Sequence, residues 1–160
     1  MILEECNVAT ITDVCRDLDK LTVFISNLTP YSDDVHCKLI IGTWSIRDII
    51  SHIMGWDKNV MKTLNQIIHN EEVELEEHHD VQAFNEASVA FGRKMKPHDL
   101  LQEAILQRKQ LILTLHLVSE KAFITQFHNS AYTLEAFLKE MFINHDQHHE
   151  KQIMQHLQNG

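Results

Sequence analysis

The chain has 160 residues, 44% of them hydrophobic and 23% charged, the balance of a globular protein with a core and not of a disordered chain. Only 4 Gly and 2 Pro are present, too few for the tight turns of an all-β fold, so a helical protein is favoured. The formal net charge of −9 repels phosphate backbones, and no Lys/Arg cluster offsets it, which excludes nucleic acid as a natural partner.

The length fits a single domain over residues 1–160. Three cysteines, Cys6, Cys15 and Cys37, are odd in number and lack a CxxC spacing, so neither a disulfide framework nor a zinc knuckle is expected. Together with an acidic N-terminus, MILEECNVATITD, they point to a cytoplasmic protein. The longest apolar stretch, Leu111 to Val118, is broken by Thr114 and His116 and is too short to span a bilayer. No membrane association is expected.

Along the chain, helical periodicity dominates. Ile11, Val14, Cys15, Leu18, Leu21, Ile25 and Leu28 line one face of a first helix, which Thr29, Pro30 and Tyr31 end. Residues 31–43 read as a connection containing the short apolar piece Leu39-Ile40-Ile41 and then Gly42. A second helix opens at Ser45, with Asp48 three residues on as a capping-box variant. Ile46, Ile49, Ile53, Trp56, Val60, Leu64 and Ile67 continue its apolar face.

The run EEVELEEHHD at 71–80 holds six acidic residues and reads as a solvated connection. Val81, Phe84, Ser88 and Phe91 suggest a short amphipathic helix. After Gly92 and Pro97, a longer one runs from about His98 to Val118, with Leu101, Ala104, Ile105, Arg108, Leu111, Ile112 and Leu115 inward. Thr133 can cap the last helix. The expected fold is therefore all-α, a four-helix bundle. The short link between the first two long helices suggests antiparallel neighbours. The longer span between the second and third leaves room for a crossover.

The chemistry concentrates in the last helix. On an ideal wheel, Leu134, Met141, His145, His149, Gln152 and His156 all lie within about 60° of Leu138, so an apolar stripe becomes imidazole without changing direction. His145 and His149, at i and i+4, have the spacing that chelates one transition metal. Chance placement of 12 histidines in 160 residues gives about 0.9 such pairs, so the spacing alone decides nothing. Unpartnered imidazoles facing a bundle interior, however, are costly to bury. A third ligand would come from another helix, and His52, at the edge of the second helix's apolar stripe, is the best placed. His148 falls to the side of the stripe and suits a neighbouring contact, and Gln152 is placed either to bond a ligand ring or to sit at a boundary. Trp44 and Trp56 read as core aromatics. His36, His69, His78, His79, His98 and His128, in or near loops, read as solvated.

Two segments carry a family resemblance. Trp44-Ser45-Ile46-Arg47-Asp48-Ile49-Ile50-Ser51-His52-Ile53-Met54-Gly55-Trp56-Asp57 resembles the second-helix signature of the DinB-like superfamily. His145-Asp146-Gln147-His148-His149-Glu150-Lys151-Gln152-Ile153 resembles the end of that family's last helix. The resemblance implies a four-helix bundle with a long crossover connection between the second and third helices. It also implies a divalent metal held by His52, His145 and His149, and a homodimer.

Characterised members include metal-dependent thiol transferases and hydrolase-like enzymes. Three neutral imidazoles leave open positions on a cation, zinc or nickel by ligand type, that could activate water or a thiol. The expected function is then a metal-dependent hydrolase or low-molecular-weight-thiol transferase acting on a small electrophilic substrate, with the thiol as a cosubstrate. The alternative is a non-catalytic bundle that binds a ligand or partner.

Overall fold

The computed structural model describes residues 9–73, 80–126 and 131–160. Eight α-helices and a two-stranded sheet are described in it: α1 (Ile11–Leu28), α2 (Asp33–Cys37), β1 (Leu39–Ile41), β2 (Trp44–Ser45), α3 (Ile46–Ile68), α4 (Val81–Gly92), α5 (Pro97–Leu115), α6 (Glu120–Phe123), α7 (Leu134–Leu138) and α8 (Asn144–Asn159). A π-helical segment, Lys139–Ile143, joins α7 to α8, so the three pieces form one long helix. Thr10 and Ser45 each complete a reciprocal capping box, with Asp13 and Asp48, and Thr133 caps α7. Each box satisfies backbone N–H groups that a helix start leaves without partners.

Two apolar clusters show how the long helices run. Val14, Cys15 and Leu18 from the start of α1 pack with Val60 and Leu64 from late α3, Leu111 and Leu115 from late α5, and Leu134 and Leu138. At the other end, Leu21, Ile25 and Leu28 pack with Ile46, Ile49, Ile50, Ile53 and Met54, with Leu100, Leu101, Ala104 and Ile105, and with Ile153 of α8. The α3 and α5 helices are therefore parallel to each other and antiparallel to α1 and α8. Parallel successive helices require a crossover, and α4 lies on that return path against α3. The α1 and α3 helices are antiparallel as expected, but they are not principal neighbours: both pack mainly on α5. The connecting α2, itself packed on α3 and α5, carries the chain across that end of the bundle.

The α3–α4 contact is close because small residues face each other. A Cβ on Gly55 would overlap Ser88 Oγ, one on Gly92 would overlap Ser51 Oγ, and Ser51 Oγ donates to the Ser88 carbonyl at 2.5 Å. Forced overpacking of this kind costs about 1–3 kcal/mol. Gly55→Ala is accordingly expected to lower stability by about that amount in a denaturant titration; an unchanged midpoint would show that the two helices separate freely.

Several sequence expectations are corrected. Residues 31–43 are not a featureless connection. They contain α2 and lead through β1 into an antiparallel hairpin with β2, turned at Gly42, whose φ is +53°. Strands of three and two residues are too short to show alternation. His36 is not solvated but 2% exposed, because α2 folds it back to donate from Nε2 to the Leu28 carbonyl at the end of α1 (3.0 Å). Val81 and Phe91 are exposed, and α4 buries Val89 and Gly92 instead. Met141 is 49% exposed, with Phe142 and Ile143 turned inward, because the wide i→i+5 turn of the π segment shifts the wheel. Trp44 and Trp56 are half-buried. His69 and His98 are exposed as expected. Cys6, His78, His79, His128 and most of the acidic run lie outside the described residues.

Candidate metal centre

His52 is in the second turn of α3, held in place by the capping box at Ser45. Asp48, in that box, accepts from Ser45 N (3.0 Å) and from Arg93 Nε and Nη2 (2.9 and 3.0 Å). Burial alone would raise its pKa, but the Arg93 and Ser45 bonds hold it below the usual carboxylate range. Arg93 also donates to the Thr43 carbonyl (3.0 Å), so the hairpin, the start of α3 and the end of α4 are tied together beside His52. The Trp44 ring lies 4.9 Å from that of His52 and walls one side of it. The α8 helix supplies His145 and His149, one turn apart.

The three rings meet. His145 Nε2 lies 3.0 Å from His52 Nε2 and 3.0 Å from His149 Nε2, and one ligand atom from each residue lies within 4.8 Å of the others. A ring nitrogen has either one proton or one lone pair. His145 Nε2 therefore cannot make two separate hydrogen bonds, and the two short contacts are not explained as ordinary pairing. They are compatible with ligands gathered on one cation: metal–nitrogen bonds of about 2.0–2.1 Å at tetrahedral angles put neighbouring nitrogens about 3.3 Å apart, a few tenths of an ångström beyond these contacts.

The outer atoms suit the same role. His149 Nδ1 donates to Gln152 Oε1 (2.8 Å), which fixes the tautomer that leaves the Nε2 lone pair free to bind. Gln152 Nε2 in turn donates to His148 Nε2 (2.9 Å). His148 is thus an exposed neighbour outside the cluster, and Gln152 takes the ring-bonding role. His156 is half-buried and not in the cluster.

The imidazoles are held neutral, as metal ligation requires. Burial first, then the His149 ring, pull His52 down to about 4, with the Asn85 side chain opposing. Burial first, then His149, His52, His148 and Arg108, pull His145 down to about 3. Burial also lowers His149, against the Gln152 bond. In the unfolded chain these rings take up a proton near pH 6.5. Between there and about pH 4 the unfolded state binds more protons, so acidification favours unfolding. The metal-free protein is expected to lose more stability between about pH 7 and about pH 5 than His145→Gln does, in denaturant titrations at each pH. Equal losses would mean that the rings titrate freely.

Asp57, Arg108 and Asp146 lie beside the cluster, and sequence reasoning did not mark them as a group. Arg108 is fully buried, and its five N–H donors are all used: Nε and Nη2 to Asp57 Oδ2 and Oδ1 (2.8 and 2.9 Å), Nη1 and Nη2 to Asp146 Oδ2 and Oδ1 (2.6 and 3.1 Å), and Nη1 to the Leu18 carbonyl (3.2 Å). Burial would lower its pKa, but the two carboxylates outweigh it and raise it. Burial lifts the Asp57 carboxyl to about 6 and raises that of Asp146, against the pull of Arg108. The available signal was an arginine on an apolar stripe, with aspartates beside the candidate ligands.

Neither cysteine among the described residues belongs to the cluster. Cys15 sits in the apolar cluster of α1, and burial pushes its thiol up to about 11; Cys37 is exposed and unpaired. No helix among the described residues is long and apolar enough to cross a membrane.

The model of the DinB superfamily matches residues 16–153, a span from α1 to the late turns of α8. No curated protein and no solved structure matches the chain.

Proposed function

For this chain, which belongs to the DinB superfamily, we propose a metal-dependent enzyme whose divalent cation, zinc or nickel, is held by His52, His145 and His149. The observation that carries this reading is the pair of 3.0 Å contacts on the single atom His145 Nε2. A cation bound there would supply a Lewis-acid centre that lowers the pKa of water or of a low-molecular-weight thiol, giving a nucleophile for a small electrophilic substrate. The chain's own residues set the conditions for that chemistry. Burial keeps the ligand rings unprotonated, Gln152 fixes the His149 tautomer, and Trp44 flanks His52. The thiol, where one is used, is a cosubstrate, since burial keeps Cys15 protonated. The reading extends to one domain over 1–160, cytoplasmic and homodimeric.

The test is turnover by tag-free protein loaded with zinc or with nickel. Small electrophiles such as epoxides and activated halides are offered with and without a low-molecular-weight thiol, alongside ester and amide substrates. Metal-dependent turnover that is lost in His52→Ala supports the enzyme. One bound equivalent with no turnover across both panels favours the alternative, a bundle that binds a ligand or partner without catalysis.

A further inference from the structure

The three charged residues beside the histidines form a layer that touches every long helix. Arg108 projects from α5, Asp57 from α3 and Asp146 from α8, and the Leu18 carbonyl belongs to α1. In sequence the layer sits where the two apolar clusters meet. Met54 and Val60 flank Asp57, Ile105 and Leu111 flank Arg108, and Ile143 and Ile153 flank Asp146, each pair divided between the clusters. Asp57 lies five residues after His52. Asp146 follows His145 directly and precedes His149 by three.

We propose that Arg108 is a positioning residue of the metal centre: its two-sided fork onto Asp57 and Asp146 sets the rotation and height of α3 and α8 so that their imidazoles meet. The proposal rests on the metal reading above. Apolar packing is non-directional and leaves a helix some freedom to roll about its axis. A fork of paired N–H···O bonds does not, because it fixes both distance and orientation. The α8 helix needs such an anchor more than the others. The π turn at Lys139–Ile143 shifts the helical phase immediately upstream, so α8 does not face where a regular α-helical continuation of α7 would place it. Asp146, the third residue of α8, is 4% exposed and takes two bonds from Arg108. The adjacent His145 is thereby brought opposite His52, and His149 follows one turn on.

The test uses Arg108→Lys, which keeps the charge but replaces the planar fork by a single ammonium group. The comparator is Leu115→Ala, which destabilises the other cluster of the same helix. Zinc affinity is measured by competition with a chromogenic chelator, on fully folded protein in each case, and the metal-free crystal structure of each variant is determined. Arg108→Lys is expected to weaken zinc binding by about 10-fold or more, the range seen when groups supporting ligands are lost, and to lengthen the contacts on His145 Nε2. Leu115→Ala is expected to bind like the wild type, although it is less stable. Wild-type affinity and unchanged contacts in Arg108→Lys would overturn the proposal.

If Arg108→Lys does not fold, the apolar triple replacement Asp57→Leu, Arg108→Met and Asp146→Leu removes the fork without leaving a buried charge, and the same two readouts decide. A wild-type protein that binds no zinc would refute the metal reading on its own. The positioning claim would then stand or fall on the His145 contacts in the metal-free structures.

Discussion

Replacing Arg108 with leucine is expected to destabilise the protein by about 3–5 kcal/mol, enough to leave much of it unfolded at 37 °C. The cause is not the loss of attraction alone. With Arg108 gone, Asp57 and Asp146, both nearly inaccessible to water, face each other without a counter-charge and take up protons or water at a large cost. Asp57→Asn removes one charge but keeps a side chain that can bond, so its loss is expected to be smaller. Converting all three residues to apolar ones of similar volume is expected to recover much of the stability. Urea titrations of the single and triple variants distinguish these cases. A single variant as stable as the wild type would mean that water reaches the layer.

The second large effect concerns the ligands and the group that orients one of them. His149→Ala is expected to lower zinc affinity by more than about 100-fold, beyond the roughly 10–100-fold that follows loss of a supporting hydrogen bond. Gln152→Leu belongs to that lesser class, because it removes only the acceptor at His149 Nδ1 and with it the tautomer preference. The order His149→Ala, then Gln152→Leu, then wild type, in competition titrations at fixed pH, is the signature of a ligand backed by an orienting amide. If Gln152→Leu bound zinc as tightly as the wild type, the Nδ1 bond would be incidental. Gln152 is half-buried, so Gln152→Leu is expected to change stability little, whereas His149 is buried and its truncation is compared at matched helical content.

Much of this was legible in the sequence because the features were local. The capping box at Ser45 depends on residues three apart, and the apolar faces of α1 and α3 repeat over several turns. The histidine pair survived an error in the wheel. An ideal 100° step carried through the π segment turned Met141 inward, when it is exposed, but His145 and His149 both lie after that segment and keep their mutual spacing. What could not be read depended on packing across helices. The five bonds of Arg108 join residues up to 90 positions apart, and periodicity placed Arg108 inward without saying what neutralises it. His36 looked solvated because its burial comes from a five-residue helix folded against the end of α1. Antiparallel α1 and α3 were legible and the crossover was expected, but the interposition of α5 between them depends on packing across helices.

The central claim is that these three imidazoles hold one divalent cation. The direct measurement is a titration of metal-free, tag-free protein with zinc and separately with nickel, followed by calorimetry and by metal analysis after dialysis. The account predicts about one tightly bound equivalent per chain, lost in both His52→Ala and His149→Ala while their helical content is kept. Uptake of neither metal by the folded wild-type protein, or uptake unaffected by removing either histidine, would contradict it.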